Sequence, residues 1–585
     1  MITGGMAMHL NDSLGHHPGL RCIFNHHEQA SAMAAEAYAR ITGIPAVVQV
    51  TAGPGGINAL TGVFGAWTDS APMLVISGQV KRATCRSSHD VPGLRQLGDQ
   101  EADLVAMAAP ITKYAVQVTK PESIHYHLEK ALYLATTGRP GPSWLDIPLD
   151  VQGSMVDPER MAGFDPEPVE ESWADEPQWA EIVERLRTAE RPVLALGAGV
   201  RWAGAVELAG RVAAKLGIPI VPAPGAVDMV PNDDPLYCGR FGTMGDRAGN
   251  FTVQNADVLL CVGSRLAVRQ IGYNWQSFAR NAYRIVVDID PAELSKPTVS
   301  PHMAVACDAG RFLAGLERAL DAAGGMGGRH SEWVAWCRAK VERYPVVPPR
   351  LRAVRAGRIN PYHFVESLFA RLADDDAVVC ANGLARWTAF QAAVIRPGQR
   401  LICSLGCGAM GYDLPAAIGV AAARDGKRVI CLAGDGSVNL NIQELQTIVH
   451  NRMPIKIFVY ENGGYGSMRE TQQNFFGRRI GEGPENGISF PRMDRIAEAY
   501  GLTAMRIEGA DFEMGLEWAL RADGPVLATV ALDEAQWVEP RAASIRRADG
   551  SIESAPIDDM TPLLDREEYY ANVIAQRGVA APANR

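Results

Sequence analysis

Between Arg428 and Gly466 the chain reads as a strand, a helix and a second strand, and each strand ends in a glycine-rich turn that carries a polar side chain. The first run, VICLA, is apolar at every position and leads into Gly434-Asp435-Gly436-Ser437. NIQELQTIVHN comes next with helical spacing and stops at Arg452-Met453-Pro454. The second run, IKIFVY, ends in Glu461-Asn462-Gly463-Gly464. Runs apolar on every position suit strands covered on both faces, and a helix between them makes the pair parallel. A right-handed crossover brings both C-terminal ends to one edge, where open α/β sheets bind ligands. Asp435 and Asn462 can then converge on one cation. A carboxylate and an amide oxygen suit Mg²⁺ or Ca²⁺, completed by a backbone carbonyl, water and phosphate oxygens. The glycines beside Asp435 let the backbone approach a diphosphate. Alone, Gly434-Asp435-Gly436 is a glycine-rich turn and Asn462-Gly463 a turn dipeptide. Together, across strand, helix and strand, they point to a cation site.

The same alternation runs through the chain. PAVVQV, PMLVIS, PVLALG, DVLLCVG and RIVVDID are further strand-like runs separated by Ala-rich helical stretches. A chain of 585 residues exceeds what one hydrophobic core supports. Two composition breaks divide it: the acidic, Pro-rich stretch Asp157 to Pro177 and the basic stretch Arg343 to Arg358. The expected fold is α/β, with three doubly wound parallel-sheet domains over residues 1–156, 178–342 and 359–535 and a C-terminal tail over 536–585. Gly324 to Gly328 reads as a surface loop. The net charge of −10 speaks against nucleic acid as a partner, which needs a basic face. No apolar run is long enough to cross a membrane, and the start, MITGGMAMHLND, lacks the basic and apolar regions of a secretory signal. The 10 cysteines show no CxxC pair, so reduced thiols and a cytoplasmic location are expected.

The GDG motif followed one strand later by Asn resembles the signature of thiamine-diphosphate enzymes. Over nearly its whole length the chain is similar to the acetolactate synthase (acetohydroxyacid synthase large subunit) group. The resemblance implies a pyrimidine-binding domain, a central nucleotide-binding domain and a diphosphate-binding domain, in that order. It assigns the metal, Mg²⁺, to Asp435, Asn462 and the carbonyl of Gly464. Relatives usually carry Asn-Asn where this chain has Glu461-Asn462, which keeps the liganding position. Thiamine diphosphate itself falls to Gly383, Met410, Gly434, Gly436, Ser437, Tyr465 and Gly466. Met410 lies in SLGCGAMGYDLPAAIG, where relatives use a bulky apolar side chain to hold the cofactor bent; the plainer reading is a core methionine. HHEQASAMAAEAYAR matches the segment whose Glu, here Glu28, touches N1′ of the aminopyrimidine ring and so promotes removal of the C2 proton. Without the resemblance, Glu28 is a helix-start carboxylate. Gln100, in LGDQE, matches the active-site Gln. TAGPGG and TDSAPMLVISGQV match cofactor-pocket and interface segments. In the central domain, Gly197, Gly199, Gly242, Arg265, Arg269 and Asp288 occupy positions that hold FAD in a largely structural role; the alternatives are ADP or an empty domain.

Departures from the group are equally informative. Biosynthetic synthases place a Trp in the acceptor pocket where this chain has Thr471, and a Lys where it has Leu149. Their GQHQ string reads Gly383-Leu384-Ala385-Arg386 here. GGMAMHLNDSLG, LRQLGDQE and PITKYAV look most like synthase-like enzymes found with surface-polysaccharide or sugar-modification pathways. The expected activity is decarboxylation of pyruvate or a related 2-oxo acid and transfer of the acyl unit to a second carbonyl, with a keto-sugar nucleotide as a candidate acceptor. Alternatives are a true acetolactate synthase, a 2-oxo acid decarboxylase or flavin oxidase, and a catalytically silent paralogue. Because Glu28 and the GDG site fall in different domains, the active site is expected between two subunits of a homodimer or homotetramer. Relatives begin with a further helix and strand, so the first sheet is expected to be one strand short.

Overall fold

A computed structural model describes residues 1–166, 178–546 and 549–574. The first composition break therefore lies partly outside the described residues. Three parallel sheets organise the chain, as the alternation of apolar runs and helices requires. The N-terminal sheet has β1 (Ala46–Val50), β2 (Met73–Gln79), β3 (Tyr114–Gln117) and β4 (Pro142–Pro148) in the order β1-β2-β4-β3. The central sheet has β5 (Pro192–Leu196), β6 (Ile220–Pro222), β7 (Val258–Val262), β8 (Tyr283–Asp288) and β9 (Met303–Ala306) in the order β6-β5-β7-β8-β9. The third has β10 (Ala377–Cys380), β11 (Arg400–Ile402), β12 (Val429–Gly434), β13 (Ile455–Glu461), β14 (Thr503–Ile507) and β15 (Val526–Ala531), ordered β11-β10-β12-β13-β15-β14. Each all-apolar run of the sequence is one of these strands. Val193, Leu259, Ile430, Cys431, Ile457 and Phe458 are fully buried, as strands with helices on both faces must be. Beside β1, Ile2 donates its amide to the Gln49 carbonyl at 3.1 Å.

Helices that carry residues of the candidate sites or of the contacts between domains include α1 (Glu28–Thr42), α2 (Pro54–Thr68), α3 (Arg247–Gln254), α4 (Leu384–Ala392), α5 (Asp413–Ala423), α6 (Glu444–His450) and α7 (Gly466–Phe476). The Ala-rich face of α1 packs on α5, which joins the first and third domains. Small residues allow the backbones to meet: a Cβ on Gly419 would lie 2.0 Å from the Ala34 carbonyl oxygen.

Charges are buried at the same junction. Arg40 of α1 pairs with Glu36 and, at 2.6 Å, with Asp69 just beyond α2. Glu36 also accepts from the Tyr412 hydroxyl, and Asp69 accepts the amides of Leu405 and Gly406, both at 2.8 Å. The first domain thus holds both ends of segment 405–412 of the third.

Val347 and Leu351, within the second composition break, are buried in the third domain's core. The last described segment turns back to the central domain. Asp558, fully buried, pairs with Arg280 at 2.5 Å and accepts from Gln254 of α3 at 3.2 Å. Asn250 donates to the Ile557 carbonyl, and Asn572 gives its carbonyl to Asn255. Among the described residues no helix is long and apolar enough to cross a membrane.

Candidate active site

β12 and β13 are neighbours in register, with Gly434 opposite Tyr460. Asp435 and Asn462 therefore leave adjacent parallel strands at the same edge. The Asp435 carboxylate is buried, and each oxygen accepts one backbone amide: Gly436 at 2.8 Å and Gly464 at 3.0 Å. These two bonds lock the end of β12 to the turn after β13, which brings Asp435, Asn462 and Gly464 together. Burial pushes the Asp435 carboxyl up to about 7, against the pull of those amides. A divalent cation reverses that balance, because it favours the ionised form.

The turn needs its glycines. Gly464 has φ +129°, and a Cβ there would lie 2.0 Å from the Glu482 carbonyl oxygen; on Gly436 it would lie 2.1 Å from the Tyr465 ring. The backbone at this edge is bare and close-packed, as a diphosphate cradle has to be. One carboxylate, one amide side chain and the Gly464 carbonyl, which also accepts the Gly466 amide at 2.9 Å, fit a hard cation that shares its shell with phosphate oxygens. No group of three or more His, Cys, Asp or Glu side chains offers another metal site among the described residues.

The remaining candidates for the diphosphate cofactor cluster here. Ser437 accepts the Gly411 amide at 2.8 Å, which fixes the residue after Met410. Tyr465 and Gly466 open α7, and Gly383, at the start of α4, faces Ser467. Thr471 is exposed one turn into α7, its hydroxyl donating back to the Ser467 carbonyl at 2.9 Å.

Glu28 begins α1, half-buried, and accepts from Asn58 of α2 at 3.0 Å. Gly55 lies against its carboxylate. Gln100 sits in the left-handed region with φ +61°, its carbonyl against Gly53, where a Cβ would lie 2.0 Å away. Glu28, Gln100 and the TAGPGG turn are therefore one group. It is linked to the third domain of the same chain through its neighbours: Gln29 accepts from Asn441 at 2.9 Å, and Asn25 donates to Glu444 of α6 at 2.9 Å. No direct bond joins Glu28 to the Asp435 cluster among the described residues.

In the central domain, Gly197 and Gly199 lie so close to Gly263 that a Cβ on Gly197 would be 2.2 Å from its carbonyl. Gly199, Arg265, Arg269 and Asp288 line one cavity of about 1040 Å³, bounded by all three domains. Gly242 stands behind its wall, next to the Arg269 carbonyl. Asp288, at the end of β8, is largely buried, and its carboxyl is raised by that burial. Glycines after β5 and an acid at the end of β8, two strands away in the same parallel sheet, lie at the edge where such sheets take a nucleotide. The orphaned buried hydroxyl of Ser264 in the same wall fits a polar ligand there.

Two sets of residues have roles that the sequence does not assign. Arg469, paired with Glu482 at 2.8 Å, donates to the carbonyls of Asn462 and Gly463 at 3.2 and 2.8 Å, and so holds the cation-side turn from below. The Glu36–Arg40–Asp69 network fixes the segment that bears Met410. Neither has a local motif; an Arg one turn beyond Gly466 is the sole hint of the first.

Family models match the chain in three successive stretches. The N-terminal TPP binding domain of thiamine pyrophosphate enzymes matches residues 1–107, their central domain matches 179–316, and their C-terminal TPP binding domain matches 382–530. The acetolactate synthase isozyme 1 large subunit of Escherichia coli K12 is 32% identical over 543 residues, covering 92% of each chain. Its isozyme 2 large subunit is 32% identical over 548 residues, 92% of this chain and 93% of that one. A probable acetolactate synthase large subunit of Methanocaldococcus jannaschii is 31% identical over 554 residues, 91% of this chain and 89% of the relative.

Proposed function

As the chain belongs to the acetolactate synthase family of thiamine pyrophosphate enzymes, we propose that it removes CO₂ from pyruvate and transfers the acetyl unit to a second carbonyl. The observation that carries this reading is the convergence of Asp435, Asn462 and Gly464 at the ends of β12 and β13. Thiamine diphosphate, when bound, supplies an acidic carbon that adds to a 2-oxo acid and stores the electron pair left by CO₂. Asp435, Asn462 and the Gly464 carbonyl would hold Mg²⁺, and through it the diphosphate. Glu28 would hold a proton at N1′ of the pyrimidine, with Asn58 orienting its carboxylate. Met410 would support the bent cofactor, and Gln100 would meet the reacting carbonyl. The central cavity would hold FAD, with its nucleotide half on Gly199 and Asp288 and with Gly197 behind them against Gly263. The active site is completed by a second subunit, whose Glu28 approaches this chain's GDG edge. Half-exposed apolar side chains on α2 at helical spacing, Ile57, Phe64 and Trp67, support such an interface.

The acceptor is larger than that of the biosynthetic synthases, with a keto-sugar nucleotide as the leading candidate. Thr471 supports this: its side chain is short, exposed and bonded back to its own helix, so it builds no wall over the site. One missing side chain shifts discrimination by about 1–3 kcal/mol, so pyruvate remains a slow acceptor. Product analysis by mass spectrometry, with pyruvate and a panel of acceptors, tests the reading. Large ketones should speed pyruvate consumption, and Thr471→Trp should restore preference for small 2-oxo acids. Ordinary rates of acetolactate formation with large acceptors ignored would return the enzyme to plain acetolactate synthesis.

A further inference from the structure

Six arginines line the central cavity, and their charges are not equally met. Arg40 pairs with Glu36 and Asp69, Arg139 with Asp290 and Glu293, and Arg265 with Glu293. Among the described residues no carboxylate lies within 4.0 Å of the Arg240 guanidinium, which gives its hydrogens to the carbonyls of Phe390, Gln391 and Ala393 and to the Asn232 side chain. Arg269 and Arg386 differ: among the described residues no carboxylate lies within 4.0 Å of either. They share one neighbour. The Arg386 guanidinium stacks 3.8 Å from the centroid of Trp387, and that of Arg269 lies 5.8 Å from the same ring.

Arg386 is the more constrained of the two. Its side chain is buried, with 6% exposure. It makes one hydrogen bond, from Nη1 to the Ser404 carbonyl at 2.9 Å, and its Nε is buried with no partner. Burial lowers its pKa from the usual guanidinium range, and the nearby charge of Arg269 adds to that against the opposing pull of Cys403 and Asp69. A buried, unpaired charge beside a like charge is costly unless something supplies the counter-charge. Of the cavity's acids, Asp69 offsets part of that charge but is paired with Arg40, while Asp288 and Asp308 belong to the central-domain wall. A guanidinium that stacks on an indole and keeps free donors is the arrangement that recognises planar or tetrahedral oxyanions.

We propose that Arg386, with Arg269 beside the same indole, forms an oxyanion site that takes a carboxylate or phosphate group of a small molecule bound at the Trp387 end of the cavity. The site stands on the wall between that cavity and segment 404–411: Nη1 bonds Ser404 and lies 3.7 Å from where a Cβ on Gly408 would be. A 2-oxo acid offers the carboxylate and a nucleotide offers the phosphate, and both fit the same donors. The site depends on the cavity and its charges, not on the carboligase activity.

Equilibrium binding on the full chain, preloaded with thiamine diphosphate and Mg²⁺ to fill the diphosphate cradle, tests it without turnover. The probes are inorganic phosphate, oxamate as an unreactive relative of pyruvate, and FAD, followed by calorimetry and tryptophan emission. Arg386→Gln should bind phosphate at least tenfold more weakly than the wild type, with partial recovery in Arg386→Lys. A parallel loss for oxamate identifies the carboxylate as the native group; a parallel loss for FAD identifies the nucleotide phosphate. Equal binding of all three probes by wild type and Arg386→Gln overturns the site. Should that variant not fold, the wild type decides: saturable phosphate binding that KCl at equal ionic strength does not reproduce supports the site, and its absence overturns it. Because no product is measured, a failure of the carboligase reading would show separately, as absence of CO₂ release in the loaded enzyme.

Discussion

At the scale of single residues, the cation edge makes the sharpest claims. Asp435→Ala should abolish Mg²⁺-dependent retention of thiamine diphosphate, because the buried carboxylate that ties β12 to the Gly464 amide would also be the cation's main negative ligand. Equilibrium dialysis with and without Mg²⁺ measures this, and retention equal to the wild type in both buffers contradicts the assignment. Glu28→Gln should keep the cofactor but slow exchange of its C2 proton by about 100-fold or more, the usual worth of a positioned acid or base. Asn58 can still bond the amide, so the fold should survive and NMR of the bound cofactor can read the exchange. The convergence of Asp435 and Asn462, proposed here to hold the metal, is legible in the sequence because each half of the site is a short contiguous string with a strand in front of it. Arg469 is not. Its role depends on the pairing with Glu482 and on a turn that brings the carbonyls of Asn462 and Gly463 under its guanidinium, and no local pattern encodes that. Arg386 is visible in the sequence as a departure from a family string, but its lack of a counter-charge belongs to the folded molecule.

At the scale of elements, the parallel strands are the easiest part to read, since a run such as VICLA, apolar at every position, has no solvated face to offer. Helix pairing is harder. The alanines of α1 suggest close packing, yet nothing in them names α5 as the partner, and the buried ion network at that contact joins Glu36, Arg40, Asp69 and Tyr412 from distant positions. That network gives a test. Arg40→Met fills similar volume but leaves Glu36 and Asp69 buried without their cation, at a cost of about 3–5 kcal/mol. Denaturant unfolding should show the midpoint falling accordingly, and cofactor affinity should fall with it, because Asp69 holds the Leu405 and Gly406 amides ahead of Met410. A midpoint unchanged from the wild type would mean that the network relaxes without cost.

At the scale of the whole molecule, the cavity is walled by all three domains, so whatever fills it joins them. FAD should therefore stabilise the entire chain: at about 100 times its dissociation constant, a ligand that binds only the folded form adds about 2.7 kcal/mol. Uptake would show as flavin absorbance that remains after gel filtration, together with a rise in melting temperature. Stabilisation by ADP with no flavin retained would favour a nucleotide-only domain. The return of the C-terminal segment to the central sheet has a consequence of another kind, in the timing of synthesis. Gln254 and Arg280 leave the ribosome early, but their partner Asp558 emerges only after the third domain has been made. At roughly 5–20 residues per second, that delay is on the order of ten seconds or more. Until then the nascent central domain carries an uncovered flank with an unpaired arginine. Its completion waits for the end of the message, so a ribosome stalled late in translation would hold a molecule whose middle is still unfinished.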